Sequence, residues 1–537
     1  MSTGTLLMIV VNLTFTIIVF RLFRKILTLP RHAGNHKGER WATRTGLVLA
    51  MAGNAVGLGN FLRFPVEAIK NGGGAFIIPY LVCFFLMGIP LMLVEWASGR
   101  FAGKKGIHDT PYILQSLSSN PFWKYVGALG LFTNLIVASY YIYVESWALS
   151  YAFYGFGGYF RGMTQTEVSA FFDEYTGVPN FVMLFSWIFC LFVNLYFLSK
   201  GIGKGIEKVA TIGMPLLLLF GIVLAFYGVC IRSGVNGAVE NGMAGLDFLW
   251  TPDFSTIWSA KVWMAAAGQI FFTLSVGVGA IQCYASYIAE KEDIALNALT
   301  AGWLNEFVEV VVGAAIVIPI SIGYLGLDKV VSIVNGSGSG FSLGFRTLPY
   351  LFQQWGPIMS ALAALMWFGI LFFAGLTSSL AMGLPFLGLM KDRFNWSTLK
   401  TTLLLGLIIF SLGILPVFYF NSGAMGEFDF WAGQVSLVVF ASLEMVLFAW
   451  IFGMEKGWAE IQEGADVKLP KVLKYIIQYI TPLFLLGILA GNIGSWSANL
   501  LNTELNTVQW LSRAVMLIVF LGLCVLLHIG EKRKAQA

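Results

Sequence analysis

The chain has 537 residues, 57% of them hydrophobic and only 11% charged, with a formal net charge of +5 and a mean hydropathy of +0.77. So little charge excludes an ordinary soluble globule and leaves a polytopic membrane protein whose first partner is the lipid bilayer. The small positive excess calls for no nucleic-acid partner, because most Lys and Arg lie in short loops, where they set orientation.

Stretches of about 20 apolar residues, enough to cross a bilayer, recur thirteen times along the sequence. The first, 5–23, "TLLMIVVNLTFTIIVFRLF", is an extra leading segment. Arg21, Arg24, Lys25 and Arg31 should stay inside, so its N-terminus should be outside. It has no basic stretch before it and no small-residue cleavage site after it, so it reads as a retained helix rather than a secretory signal. Twelve main-body helices follow, numbered 1 to 12 here: 42–70, 75–99, 122–155, 180–198, 206–230, 262–289, 295–324, 357–388, 397–415, 425–453, 474–498 and 508–530. Basic residues alternate with them: Arg100, Lys104 and Lys105; Lys200, Lys204 and Lys208; Lys391, Arg393 and Lys400; Lys456, Lys468, Lys471 and Lys474; then "EKRKAQA". The positive-inside rule makes these loops cytoplasmic and puts both ends of the main body inside. Three longer loops, 156–179, 231–261 and 325–356, read as extracellular, the last with "VNGSGSG" as a flexible turn inside a re-entrant cap.

The five cysteines lie in or at the edge of apolar segments and read as small packing residues. The four histidines are scattered, so no zinc site is implied. No Gly-rich stretch runs into Lys-Ser or Lys-Thr, so no nucleotide loop is present to drive transport by ATP.

Two helices carry residues a spanning helix should avoid. Helix 1 contains "LAMAGNAVGLGNFLRFP" and helix 6 "GQIFFTLSVGVGAIQCYASY". Glycine inside a helix costs up to about 1 kcal/mol relative to alanine, and an unsatisfied backbone group in lipid costs several. Close packing through small residues is the plainer reading of either break alone. Their pairing changes that reading. Five helices separate the two, an odd number, so the halves should have inverted topology. Interrupted helices in corresponding positions of inverted halves point to a transport site near the midplane. The N-termini of the half-helices suit a substrate carboxylate, and freed carbonyls suit a small hard cation. Helix 8 adds "FFAGLTSSLAMGLP", where Thr377, Ser378 and Ser379 could simply bond back to carbonyls one turn earlier. Beside two broken helices they read better as part of a cation shell.

"WATRTGLVLAMAGNAVGLGNFLRFP", "NGGGAFIIPY", "GIPLMLVEWASGR", "GQIFFTLSVGVGA" and "FFAGLTSSLA" are long and specific. With them the chain resembles the neurotransmitter:sodium symporter family, closest to its bacterial leucine-transporting branch, from about Trp41 to the C-terminus. The resemblance implies an all-α polytopic fold: two inverted five-helix repeats with broken helices 1 and 6, two C-terminal helices and one extra N-terminal helix. The expected division is 1–40 (leading helix and basic linker), 41–230 (first repeat), 231–455 (second repeat) and 456–537 (helices 11 and 12 with the tail).

The function implied is chloride-independent, sodium-coupled symport of a neutral apolar L-amino acid across the plasma membrane by alternating access, with two sodium ions and no enzymatic step. One sodium would be held by Ala55, Asn60, Thr273, Asn305 and the substrate carboxylate, and the second by Gly53, Val56, Ala374, Thr377 and Ser378. Neutral oxygens suit a monovalent ion better than a carboxylate cage, which favours calcium. The substrate carboxylate would meet Leu58, Gly59 and Tyr141, and its ammonium Ala55, Phe272 and Thr273, with Ser275 near. Its side chain would face Val137, Tyr141, Phe272, Ser275, Val278, Ser378 and Met382. Val278 stands where the leucine-transporting branch has phenylalanine and Met382 where it has isoleucine, which admits a residue larger than leucine, an aromatic one included.

Arg63 and Asp429 match the family's outer gate, over an aromatic lid of Tyr141 and Phe272. Asp392 and Tyr287 match the inner gate, but Gly38 stands where its arginine is expected, leaving Lys37 or Arg40 as substitutes. The resemblance implies that Glu309 of helix 7 stands in for a bound chloride. Gly205 and Pro215 both weaken helix 5; the resemblance implies that it unwinds there to release sodium inward, and an ordinary kinked helix is the alternative. Glu95, Glu145 and Glu444 are further intramembrane carboxylates; Glu95 and Glu145 read as structural hydrogen-bond partners, with proton coupling through one of them as the alternative. A non-transporting sensor of the same fold is the alternative, although no signalling domain is visible; a homodimer stays open.

Overall fold

In a computed structural model, the described residues (3–28, 39–255, 257–337 and 340–536) form helices and their connections, with no strand among them. The leading helix is Thr3–Thr28. Helix 1 is split into Arg44–Ala55 and Gly59–Lys70, bent by 45°. Helices 2 to 5 are Gly74–Gly103, Trp123–Phe156, Phe181–Ser199 and Ile202–Val229. Helix 6 is split into Ala260–Leu274 and Ala280–Ala285. Helices 7 to 9 are Ile294–Leu325, Gly356–Phe394 and Thr398–Phe418, helix 10 is 424–453, and helices 11 and 12 are Lys471–Leu500 and Thr507–Gln536.

Among the described residues eleven helices are long and apolar enough to cross a membrane, twelve with the bent pair of helix 1. Helix 6 fails the length test because its break leaves pieces of 15 and 6 residues.

The two breaks differ in kind. In helix 1 the chain leaves helical geometry at Val56, with ψ 87°, and resumes a wide π-helical turn at Gly59. In helix 6 Ser275, Gly277 and Gly279 all take positive φ, 51°, 77° and 76°. Only glycine enters that region without a Cβ penalty. At Gly279 a Cβ would also sit 2.2 Å from the Thr110 side chain. Ser275 carries the penalty, and its hydroxyl donates to Asn54 O at 2.9 Å.

Helices 1 and 6 run in opposite directions. Arg44 at the start of helix 1 and Tyr284 near the end of helix 6 sit on one face, where Trp41 Nε1 donates to Tyr284 O at 3.1 Å. This is the face of the basic loops. The opposite face carries the longer loops, which hold the short helices Gln165–Gly177, Gly242–Trp250, Leu327–Ser337 and Leu348–Phe352 rather than open coil. The first is opened by a capping box of Thr164 and Glu167. Residues 338–339 of the "VNGSGSG" turn lie outside the described residues.

The leading helix is mostly exposed. Phe15 meets Trp303 of helix 7 edge-on at 5.0 Å, and Ile26 packs with Val48 and Leu296. Its Gly4 approaches Thr251 on the long-loop face, so it runs antiparallel to helix 1. Helix 5 is continuously wound through Gly205 and Pro215, so the expected unwinding is absent from this conformation.

Candidate functional site

The breaks of helices 1 and 6 face each other across helices 3 and 8. Leu58 N–H points at the Tyr141 hydroxyl of helix 3, 2.8 Å away, at the place expected to receive a carboxylate. Gly57 is required there: a Cβ would lie 2.5 Å from that hydroxyl and 3.0 Å from Ser378 Oγ.

The residues expected around one sodium are gathered. Asn60 Oδ1 accepts Gly57 N–H at 2.9 Å. Asn60 Nδ2 reaches Asn305 Oδ1 at 2.9 Å and Thr273 Oγ1 at 3.1 Å, and Asn305 Nδ2 reaches Thr273 Oγ1 at 2.9 Å. Three polar side chains from helices 1, 6 and 7 thus interlock beside Ala55, the last residue of the first half-helix. The second set lies between helices 1 and 8. Ser378 Oγ is 3.3 Å from Gly53 O and 3.2 Å from Asn54 O, and Thr377 Oγ1 is 3.3 Å from Ala374 O. Thr377 also bonds back to Phe373 O at 2.9 Å, as an ordinary helical threonine does. Ser379 points away, bonding Asn194 Oδ1 at 2.6 Å and Glu145 at 3.2 Å.

Between the breaks lies a cavity of about 40 Å³, roughly three times the space one water needs by the same measure. Val137, Tyr141, Phe272, Ser275, Val278 and Met382 line it as expected. Above it a vestibule of about 580 Å³ opens toward the long-loop face, and Tyr141 and Phe272 form the partition between the two. Arg63 and Asp429 both line the vestibule but make no ion pair. Arg63 lies over the Phe272 ring at 4.8 Å. Asp429 accepts from Tyr140 at 2.8 Å and Gln434 at 2.9 Å.

The basic-loop face is packed. Its expected Lys37 and Gly38 lie outside the described residues. Asp392 accepts His108 N–H at 2.7 Å, and the His108 ring stacks on Tyr287 at 4.2 Å with Nδ1 2.9 Å from Ser286 Oγ. Glu39 binds Lys391 at 2.6 Å and Ile202 N–H at 2.7 Å, and Glu207 accepts Ala42 and Thr43 N–H at 2.6 and 2.9 Å. Sequence reasoning missed His108, Glu39 and Glu207, whose partners are distant in the chain.

It also missed the surroundings of Glu309. That carboxyl accepts from the Thr273 hydroxyl, from Gln269 at 2.9 Å and from Tyr80 at 3.0 Å, and Tyr80 also reaches Glu306 at 2.7 Å. The i, i+3 spacing of Glu306 and Glu309 was the available signal. Glu95 accepts Gly277 N–H at 2.6 Å and so clamps the helix 6 break.

Two unwound helices in inverted repeats, with a small cavity below a larger vestibule, define a membrane carrier with a central site. The sodium:neurotransmitter symporter family model matches residues 38–163 and 158–531. The chain belongs to that family of sodium-coupled transporters, which are not enzymes. It is 30% identical over 458 residues to an uncharacterized sodium-dependent transporter of Methanocaldococcus jannaschii, covering 83% of this chain and 89% of that one. It is 25% identical over 497 residues to the sodium- and chloride-dependent GABA transporter 2 of Homo sapiens, covering 84% and 79%. Among solved structures it is similar to MhsT in complex with L-phenylalanine, with TM-score 0.74 and 28% identity over 84% of this chain and 99% of that one. The matched regions leave out the leading helix.

Proposed function

We propose that the protein carries a neutral, largely apolar L-amino acid together with two sodium ions, by alternating access and without chloride. The observation that carries this is the small cavity between the breaks, walled by Val137, Phe272, Val278 and Met382 and bearing no charged side chain. Phenylalanine bound to MhsT supports an amino-acid substrate.

Asn60, Thr273 and Asn305 would surround one ion with the Ala55 carbonyl and the substrate carboxylate. Gly53, Val56, Ala374, Thr377 and Ser378 would surround the other. Sharing the carboxylate makes each ligand raise the other's affinity. Each sodium gains about 2.3 kcal/mol per 100 mV and about 1.4 kcal/mol from a tenfold gradient, so two offer about 7 kcal/mol. The vestibule side is extracellular in this reading, with Arg63 and Asp429 apart because the outer gate is open, and the leading helix enters from outside.

The experiment is uptake by proteoliposomes of each of the twenty amino acids, with and without a sodium gradient. Accumulation of a neutral amino acid against its gradient is expected, with a sodium dependence steeper than first order. Saturable binding without uptake would replace the symporter by a sensor.

A further inference from the structure

One end of the cavity carries polar atoms that neither the ions nor the carboxylate contacts use. Helix 3 presents Thr133 and Asn134 to it, and they are 0% and 1% exposed. Asn134 Nδ2 donates to Gly130 O at 2.8 Å and to Val278 O at 2.6 Å. Both partners are carbonyls, so chemistry fixes the amide: only its nitrogen serves them. Oδ1 is left as an acceptor that no donor reaches among the described residues, and the Thr133 hydroxyl is likewise unpartnered. An unpaired buried polar group costs free energy that a bound partner returns. Val137, Val278 and Leu437, which also line the cavity, are apolar. No acidic or basic side chain lines it, so a charged group there would lack a counter-ion.

Position adds to this. Tyr141, which marks the carboxylate, lies seven residues along helix 3 from Asn134, or about 10 Å of helical rise. A substrate anchored at Tyr141 therefore needs a long side chain to reach Asn134, and leucine is short for that span.

We propose that Asn134 reads the tip of the substrate's side chain, its Oδ1 accepting a hydrogen bond from a neutral donor, an indole N–H or a phenol O–H, with the Thr133 hydroxyl beside it. The inference rests on the amino-acid symport proposed above and narrows its substrate to an aromatic amino acid with a hydrogen-bonding tip. Asn134 would act on specificity while its nitrogen holds Val278 in the helix 6 break.

The test uses the full-length protein in proteoliposomes and matched ligands that differ only in the donor: tyrosine against phenylalanine, and tryptophan against its benzothiophene analogue. Each competes with sodium-dependent uptake of a labelled amino acid. In the unaltered protein the donor-bearing member of at least one pair is expected to inhibit about tenfold more strongly or better, the worth of one recovered hydrogen bond. Asn134→Ala should bring the two members to equal potency by weakening only the donor-bearing one. Because that change also removes the bonds to Gly130 and Val278, Asn134→Gln is the second variant. It keeps a buried amide but displaces the acceptor, and should lose the preference too. Should neither variant fold, the matched ligands on the unaltered protein decide. Equal potency within both pairs overturns the inference, as does a preference that survives in the variants. No sodium-dependent uptake of any amino acid would instead reject the symporter reading, and the inference with it.

Discussion

At the scale of single residues, the Tyr141 hydroxyl holds two roles. It meets Leu58 N–H at 2.8 Å and lines both the cavity and the vestibule. Tyr141→Phe removes a buried polar partner worth about 1–3 kcal/mol, so the substrate concentration for half-maximal uptake should rise about five- to hundredfold while thermal unfolding changes little. Glu309 is the second case. Its carboxyl, fixed by Thr273, Gln269 and Tyr80, puts a resident acidic group one hydrogen bond from the proposed ion site. Replacing chloride by gluconate on both sides should leave uptake unchanged; a large drop would remove Glu309 from this role.

At the scale of elements, the break in helix 1 seats against helix 3 with no room for a Cβ at Gly57, which would lie 2.5 Å from the Tyr141 hydroxyl. Gly57→Ala is expected to abolish uptake while the purified protein keeps its elution profile and unfolding temperature. Wide π-helical turns recur at Gly59–Arg63, Phe307–Gly313 and Asp429–Ser436, the stretches that carry Asn60, Arg63, Glu309 and Asp429. Such turns re-aim side chains that a regular helix would point elsewhere. The basic-loop face closes through His108. Burial pushes its imidazole below the usual range, as does Lys391, while Asp392, Glu39 and the contact with Ser286 pull it upward. The closed face therefore binds fewer protons than an open one. His108 supports closure above the ordinary imidazole value of about 6.5, and that support is lost as pH falls through the lowered value. Acidification should open this face. Cys283, buried beside Thr110 at 3.3 Å, reports it. With the other cysteines replaced, its alkylation rate in the unaltered protein, divided by that in His108→Gln, should rise between about pH 7.5 and pH 5.5. Taking the ratio removes the thiol's own pH dependence.

At the scale of the whole molecule, the open vestibule above Phe272 and the packed face around Trp41, Tyr284 and Tyr287 give one conformation of a carrier, accessible from the long-loop side. The leading helix lines no part of the vestibule. It touches the body through few buried residues, Phe15 and Ile26 among them, and lies outside the matched family regions. A chain beginning at about residue 37 is therefore expected to fold, to keep sodium-dependent uptake within about twofold, and to unfold no more than about 5 °C lower.

Composition and local pattern alone determined the membrane class, most of the spans and the two breaks, because bilayer thickness sets span length and a glycine–asparagine run cannot hide in an apolar helix. The family resemblance then located Asn60, Thr273 and Asn305, which the fold interlocks, and separately Ser378, which it seats against the first half of helix 1. Other features needed tertiary structure. His108 was one scattered histidine until it stacked on Tyr287, 179 residues away. Asn134 read as one more polar residue in helix 3 until two carbonyls, one of them in the helix 6 break, fixed its amide and left its oxygen free. Arg63 and Asp429 were a pair only by family resemblance, and in this conformation they line the vestibule without an ion pair. Periodicity and motif record which groups a helix carries; which of them meet, and which are left unpartnered, depends on how distant helices pack and on which gate is open.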